Sequence, residues 1–412
     1  MPNKSTIVSE STKNSTAEIA QETAPSYSVA VGYLRAFITL LVVAHHAVLA
    51  YHPDAPHVGT SLLTQPRWWQ AFPVVDAHRW DGFRLFVGFN DIFFMSLMFF
   101  LSGLFLPGSL LRKGWNRFLR DRVMRLGIPF VLAAAIVAPV AYYPAYLQTG
   151  RSGLSGFWRE WLALGSWPAG PAWFVWVLLA FAFVGVGLYS IAPRWTSAVE
   201  CITRTGDRHP SRVFWSLVTI SALAYIPLFL IFGPFYWFSV GPFVLQASRP
   251  LLYLVYFLAG AAVGAYGVDR GLLAQDGLLA RHWVRWSLRA MLGFSLVVIL
   301  VIVSVSSPQI APKLGIAHSI AFALSCGASS FAMLAIFLRF AKKRRAVYDS
   351  LTANAYGIYL IHYAFVSWVQ FGLLKLDLPA VVKGAAAFVL AALLSWGSIA
   401  LLRRIPAVAR VI

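Results

Sequence analysis

Ten apolar segments, each close to the length that crosses a membrane, follow one another along this chain. A transmembrane helix needs about 20 predominantly apolar residues. The pattern therefore predicts an all-α, polytopic transmembrane bundle of about ten helices, over residues 29–51, 84–107, 127–147, 171–192, 213–235, 250–267, 287–306, 314–338, 355–374 and 379–402. Residues 1–28 are polar and rich in Ser, Thr and Glu, which predicts a disordered cytoplasmic tail before a transmembrane domain over residues 29–412.

Composition and charge support a membrane protein with cytoplasmic termini. Hydrophobic residues make up 59% of the chain and charged residues 12%, whereas soluble domains carry about 25% charged residues. Of the 34 Lys and Arg residues, 24 lie on one side of the predicted bundle and eight on the other. Because cytoplasmic loops carry the basic excess, we expect a multi-pass protein of the cell (inner) membrane with both termini in the cytoplasm. Basic loops between apolar segments fit membrane lipid headgroups, and nucleic acid is not an expected partner.

Two ionisable residues share a face of the first apolar segment. Arg35 and His46 are eleven positions apart. At roughly 100° per residue they return to within about 20° of the same helix face, with a rise of about 16 Å between them. Ionisable groups inside a membrane usually mark a functional site. The alternative is that Arg35 extends to the cytoplasmic headgroups while His46 lies at the outer interface.

Asp91 is the one acidic residue, among fifteen, that falls within a predicted span. It is expected at a depth similar to that of His46. A carboxylate that accepts a hydrogen bond from one imidazole nitrogen fixes the tautomer and raises the basicity of the other nitrogen. We therefore predict that Asp91 orients His46 as a general base, unless the helix begins later and Asn90 and Asp91 only cap it.

A basic stretch on the predicted cytoplasmic side is a candidate phosphate-binding site. Six Lys and Arg residues lie within residues 112–125. Arg122 and Arg125, three positions apart, share a helical face on which two guanidinium groups can hold a diphosphate. Arg120 is a further donor-binding candidate in this stretch. The alternative is a basic loop that only sets the topology.

The ninth segment contains two phenols and an imidazole within two helical turns, Tyr356, Tyr359 and His362. Such residues are expected to face the interior of the bundle. A structural hydrogen-bonding role and a role at the substrate both remain open at this point.

The loops predicted on the outer side are rich in tryptophan and histidine. The tryptophans of residues 52–83 and 148–170 are interpreted either as interfacial anchors or as a stacking surface for a sugar. No metal site is predicted, because the histidines at positions 45, 46, 52 and 57 lack ligand-like spacing.

Five features in this order resemble the acyltransferase 3 family of membrane-embedded acyltransferases, and the resemblance covers nearly everything after residue 28. They are Arg35 with ten residues between it and His46, the segment Phe99 to Phe105 (FFLSGLF), the segment Arg122 to Pro129 (RVMRLGIP), the segment Pro171 to Phe174 (PAWF), and the segment Tyr356 to His362 (YGIYLIH).

The resemblance implies an O-acyltransferase that moves a short acyl group, acetyl or succinyl, from cytoplasmic acyl-coenzyme A to a hydroxyl group. The implied acceptor is a carbohydrate or glycolipid at the outer face, and no permanently bound cofactor is implied. The catalytic roles would fall on Arg35 and His46, and the donor contacts on Arg122 and Arg125. The layout is most similar to the branch that decorates periplasmic glucans with succinyl groups, although residues 92–95 depart from that branch's pattern.

In the expected reaction His46 deprotonates the acceptor hydroxyl, or it forms a covalent acyl-histidine instead. Ser102 or Tyr359 would donate a hydrogen bond to the developing oxyanion, with His362 beside the donor site. Two other functions stay open on the residues alone. One is a transporter of an anionic or proton-coupled solute with Arg35, Asp91 and His46 on its path, and the other is a non-catalytic acceptor-binding subunit.

Overall fold

The computed structural model describes residues 28–64, 67–195 and 203–412, apart from the side chains of residues 67 and 68. The helices and strands within these ranges, apart from short 3-10 turns, are α1 (Val29–Leu49), α2 (Gly82–Gly103), α3 (Leu106–Gln148), α4 (Leu154–Ala163), α5 (Trp173–Ile191), α6 (Pro210–Phe232), β1 (Trp237–Val240), β2 (Phe243–Gln246), α7 (Pro250–Tyr266), α8 (Leu278–Arg281), α9 (Trp283–Ser306), α10 (Gly315–Phe340), α11 (Ala346–Leu373), α12 (Ala380–Leu402) and α13 (Pro406–Val411). The predicted tail lies outside the described residues except for Ser28, whose side chain caps α1 by accepting a hydrogen bond from the Val31 amide (3.4 Å).

Each of the ten predicted segments overlaps one long helix. Eight helices of the described chain are long and apolar enough to cross a membrane, and α7 makes a ninth if it forms one bent span with residues 271–281. α11 is not among them, because buried polar side chains such as those of Asn354, His362 and Gln370 interrupt its apolar sequence. A multi-pass helical bundle is therefore confirmed, while the count of ten and the cytoplasmic termini remain predictions.

α1 occupies the middle of the bundle, where it packs against α2, α10, α11 and α12. α2 in turn packs closely against α7 through glycines, since a Cβ atom on Gly260 would lie 2.0 Å from the Phe100 carbonyl oxygen. Small residues at a helix interface are the usual means of close packing inside membranes. This core fixes the direction in which α1 presents its polar side chains to α11.

α3 is a long run of helical turns with irregular geometry. Gly114, with φ of 70°, interrupts its first part, and two π-helical segments follow at Val123–Gly127 and Ala133–Val137. π-helical turns inside α-helices are frequent at functional sites. Arg122 ends the α-helical part and Arg125 lies in the first π segment, so both cations stand at an irregular turn.

A short hairpin departs from the all-α prediction. β1 and β2 pair antiparallel, from Trp237 opposite Gln246 to Val240 opposite Phe243, and Gly241 takes the positive φ (53°) that the tight turn requires. The aromatic and β-branched residues on either side of the Gly241-Pro242 turn favour strands, a signal that the hydropathy pattern alone does not contain.

Candidate active site

A cavity of about 390 Å³ lies at the end of the bundle where α1 and α11 begin. Four predicted site residues line it, Arg35 from α1, Arg122 and Arg125 from α3, and Tyr359 from α11. The other lining residues are Thr39, Met98, Leu126, Phe174, Leu178, Ala353, Ala355, Tyr356, Arg403 and residues 409–412. We name this space the arginine cavity. Its lining residues include arginines from three parts of the chain and no Asp or Glu, which suits a ligand with several negative charges.

Arg35 and His46 both face α11, as their spacing predicts. The Arg35 Nη2 atom donates to the Thr352 carbonyl oxygen (3.4 Å), and His46 Nδ1 lies 3.4 Å from His362 Nε2. Both partners belong to α11. The shared face of α1 is therefore turned toward a neighbouring helix, and the interpretation in which the two side chains only reach the two membrane surfaces does not account for these contacts.

A backbone carbonyl fixes the tautomer of His46. Its Nδ1 atom lies 2.8 Å from the Val42 carbonyl oxygen, one helical turn earlier. A carbonyl oxygen can only accept, so neutral His46 has its proton on Nδ1 and a lone pair on Nε2. His362 is fixed in the same way, because its Nδ1 donates to the Tyr359 carbonyl oxygen (2.7 Å). The nitrogen of His46 that remains available as a base is therefore Nε2.

His46 stands between the arginine cavity and the loop at the opposite end of the bundle. On one side it contacts buried His362, whose Nδ1 bonds to the carbonyl of Tyr359 in the cavity wall. On the other side the Tyr363 ring lies 5.1 Å from the His46 ring, and the Tyr363 hydroxyl donates to the Gln70 carbonyl oxygen (3.2 Å). His46 is thus linked by contacts to both ends of the bundle, although it does not itself line the arginine cavity.

The predicted contact between Asp91 and His46 is wrong. The Asp91 carboxylate forms a bidentate pair with Arg249, with Nη1 to Oδ1 at 3.0 Å and Nη2 to Oδ2 at 2.5 Å. The Val42 carbonyl performs the orienting task that the sequence analysis gave to Asp91. Arg249 is 4% exposed and packs over the Phe322 ring (5.0 Å). Arg249 lies one residue before the predicted segment 250–267, so the hydropathy pattern assigns it to a loop. The presence of a single acidic residue within the predicted spans was nevertheless a signal for a buried cation.

The hydroxyl groups of both predicted oxyanion donors already donate hydrogen bonds to backbone carbonyls. The Tyr359 hydroxyl donates to the Pro171 carbonyl oxygen at 2.5 Å, and the Ser102 hydroxyl donates to the Met98 carbonyl oxygen at 2.8 Å. A hydroxyl has one proton to give, so neither donates to an oxyanion in this arrangement. Ser102 also lies outside the arginine cavity, in a small niche beside Arg122.

The basic stretch divides into residues that reach the arginine cavity and residues that do not. Arg122 and Arg125 line it, whereas Arg120 is exposed and is not among its lining residues. The Tyr356 hydroxyl donates to the Arg125 carbonyl oxygen (2.7 Å) and so ties the first π segment of α3 to α11. The donor-binding prediction for Arg120 therefore lacks structural support.

The adjacent histidines point in different directions. The His45 ring packs on Phe94 (5.1 Å) while the His46 ring packs on His362 (5.2 Å). Among residues 28–64, 67–195 and 203–412, no three His, Cys, Asp or Glu side chains converge on a point that could hold a metal ion.

The tryptophans of residues 52–83 and 148–170 divide into core and surface residues. Trp69 and Trp161 are 4% and 0% exposed and pack in one cluster with Tyr142. They stabilise the loop and cannot stack on a sugar. Trp80 and Trp158 are exposed, and the choice between anchor and sugar platform stays open for these two.

The loop between α1 and α2 is anchored by charges. Buried Lys383 of α12 donates to Asp76 Oδ2 (2.7 Å), and the Asp76 amide donates to the Ala50 carbonyl at the end of α1 (2.9 Å). On the surface of the same loop, the hydrogen bond from Arg84 lowers the pKa of Asp54. These contacts hold in place the segment that carries Gln70.

Comparison with known proteins decides the family. The sequence model of the acyltransferase 3 family, described as an acyltransferase domain, matches residues 29–401. The chain belongs to this family. It is also 24% identical over 242 residues to the glucans biosynthesis protein C of Salmonella gallinarum strain 287/91, a match that covers 55% of this chain and 56% of that protein. The chain thus spans just over half the length of this relative. No solved structure matches the chain.

Family membership confirms the resemblance and favours an acyltransferase over a solute transporter. It also gives a context for the residues that the fold assembles, because the matched range includes Arg35, His46, Arg122 and Arg125. The predicted roles of these individual residues are developed next as a proposal.

Proposed function

We propose that this protein transfers a short acyl group, acetyl or succinyl, from acyl-coenzyme A on the cytoplasmic side to a carbohydrate hydroxyl on the outer side. The observation that carries the proposal is the continuous arrangement from the arginine cavity, through Tyr359 and His362, to His46 and the Tyr363–Gln70 contact. These contacts support His46 as the point at which a charged donor and an outer acceptor would meet.

The arginine cavity suits the charged end of the donor. Nucleotide phosphates cannot enter hydrocarbon, whereas guanidinium groups bind them with paired, charge-assisted hydrogen bonds. Met98, Phe174 and Leu178 line the same cavity and offer apolar contacts for the neutral pantetheine arm. Arg35 lines the cavity from α1. The thioester end of the donor would extend past Arg35 toward His46.

The reaction then needs one base and one oxyanion donor. His46 Nε2 takes the proton of the acceptor hydroxyl as its oxygen attacks the thioester carbonyl carbon. Arg35 is not that oxyanion donor, because a helix rise of about 16 Å separates it from His46; we assign Arg35 to the path of the acyl donor through the cavity. When the carbon–sulfur bond breaks, the carbonyl re-forms and the coenzyme A thiolate takes the proton from His46.

A covalent route uses the same nitrogen. His46 Nε2 would attack the thioester carbonyl and release the thiolate. In a second step the acceptor hydroxyl would attack the acyl-histidine, the bond between Nε2 and the acyl carbon would break, and the coenzyme A thiolate would take the hydroxyl proton. Incubation with labelled acyl-coenzyme A without acceptor distinguishes the routes. A label found on His46 by peptide mass spectrometry supports the covalent route, and an unlabelled protein with normal transfer supports the direct one.

The acceptor class rests on similarity to a protein named for glucan biosynthesis. We therefore propose a glucan or related surface carbohydrate as the acceptor.

Mass spectrometry of surface glycans and glycolipids, from cells with and without the gene, tests the proposal. We expect an added acyl mass only when the gene is present, which would identify both the group and its acceptor. His46→Ala should abolish the added mass at equal protein level, while His57→Ala, a change at an exposed loop histidine, should retain it. Identical glycan masses with and without the gene would refute the proposed function.

A further inference from the structure

Two further arginines line the arginine cavity, Arg403 and Arg410. From the sequence alone they are indistinguishable from the basic residues that set membrane orientation. Arg403 follows the last turn of α12, and Arg410 lies in α13. α13 packs against the first π segment of α3, the segment that contains Arg125. The C-terminal residues therefore form a second cationic wall of the cavity, separate in sequence from the Arg122–Arg125 wall.

Arg403 is held in position by α11. Its Nη1 atom donates to the Ala353 carbonyl oxygen and lies 3.4 Å from Asn354 Oδ1. Ala353 itself lines the cavity. These contacts occupy one nitrogen and leave the other donors of the guanidinium fork for a ligand. Arg410 is exposed at the rim, where a ligand can reach it from solution.

The arginines on both cavity walls form no close ion pair with an Asp or Glu side chain in the described part of the chain, and Asp121 is the acidic residue that interacts with Arg122 and Arg125 from further away. No Asp or Glu lies within 4.0 Å of Arg122, Arg125, Arg403 or Arg410 among the ion pairs of the described residues. Like charges gathered in one concave site repel each other unless a polyanion binds there. Two pairs of arginines on two walls suit a ligand with two separate phosphate groups.

We propose that Arg403 and Arg410 bind the ribose 3′-phosphate of acyl-coenzyme A, while Arg122 and Arg125 bind its diphosphate. This assignment rests on the proposed function. A 3′-phosphate is a monoester with a charge of about −1.5 to −2 at pH 7, which two guanidinium groups match. The diphosphate connects directly to the pantetheine arm, so it belongs on the wall beside Leu126 and Leu178, which face the apolar part of the cavity.

Binding of coenzyme A and of 3′-dephospho-coenzyme A to the purified full-length protein tests the assignment. Calorimetry should show that the wild type binds coenzyme A about ten- to a hundred-fold more tightly, as expected for charge-assisted hydrogen bonds to one phosphate. The pair Arg403→Gln with Arg410→Gln should reduce this preference to near one by weakening only the binding of coenzyme A. The pair Arg122→Gln with Arg125→Gln should weaken both ligands and keep the preference.

Two further variants serve as controls. Arg404→Gln changes the exposed neighbour of Arg403, which does not line the cavity, and should leave both affinities unchanged. Replacement of Arg403 and Arg410 by lysine keeps the charge and should restore part of the preference, which separates phosphate binding from a folding defect.

The outcomes separate this assignment from the proposed function. If the Arg403/Arg410 glutamine pair keeps the full preference for coenzyme A, or if the wild type has none, the assignment is wrong. If the preference behaves as expected while acyl transfer from acyl-coenzyme A is undetectable, the phosphate site stands and the proposed function fails.

Discussion

Lys383→Met gives the sharpest test of how the loop between α1 and α2 is held. Lys383 is 0% exposed and its Nζ lies 2.7 Å from Asp76 Oδ2 and 3.3 Å from His78 Nδ1. Asp76 is 3% exposed. Methionine fills a similar volume without a charge, so the change leaves a buried carboxylate whose remaining side-chain partner is the His78 ring (Nδ1 to Oδ1, 3.1 Å).

Breaking a buried ion pair by removing one partner costs about 3–5 kcal/mol. Most of that penalty applies here, because neither Lys383 nor Asp76 can reach water to recover its hydration, and the retained contact with His78 offsets only part of it. Since a large domain loses roughly 2 °C in Tm for each kcal/mol, we expect a decrease of about 5–10 °C. The double variant Lys383→Met with Asp76→Leu should recover most of the loss, because it removes both charges.

Thermal unfolding of the purified protein in detergent measures this effect. Lys375→Met is the matched control, since Lys375 is exposed in the preceding turn and should change Tm by less than about 1 °C. The reasoning is refuted if Lys383→Met unfolds at the same temperature as the control. It is also refuted if the double variant is no more stable than the single one.

Other predictions concern the site and the loop. His362→Phe should lower kcat for acyl transfer by about ten-fold or more with little change in KM, because the ring that contacts His46 Nδ1 loses its acceptor nitrogen; steady-state kinetics check this, and an unchanged kcat would contradict it. Asp91→Asn should lower the unfolding free energy by about 1–3 kcal/mol, less than for a fully buried pair because Asp91 is 44% exposed; denaturant unfolding checks this. Asp54→Asn should cost less than about 1 kcal/mol because the pair with Arg84 is exposed. The lowered pKa of Asp54 means that this small contribution is present above the unfolded pKa of about 3.9 and disappears as the pH falls through the folded value; a wild-type minus variant Tm difference that grows on acidification would contradict it.

The bundle and the Arg35–His46 face were predictable because both depend on local periodicity. Apolar length indicates a span, and a spacing of eleven residues indicates a shared helix face, whatever the tertiary structure. The same logic failed for the hairpin around Gly241, whose strands are short and follow an apolar helix without a change in hydropathy.

The partners of the polar residues were not predictable because they depend on long-range packing. Asp91 pairs with Arg249, which is 158 positions away, although the adjacency of α1 and α2 suggested His46. In the sequence, Arg403 and Arg410 resemble the basic residues that set membrane orientation. Only the fold shows that they line the same cavity as Arg122. The hydroxyls of Ser102 and Tyr359 could not be assigned from sequence either, because their acceptors are backbone carbonyls.

Transfer across a sealed membrane tests the central claim most directly. Proteoliposomes would receive labelled acyl-coenzyme A on one side and, on the other, the carbohydrate acceptor identified by glycan mass spectrometry. The account predicts that wild-type protein labels the acceptor only when the donor is on the side of Arg122 and Arg125, and that His46→Ala protein in the same orientation does not. Equal labelling by the His46→Ala protein, or labelling only when donor and acceptor share one side, would contradict it.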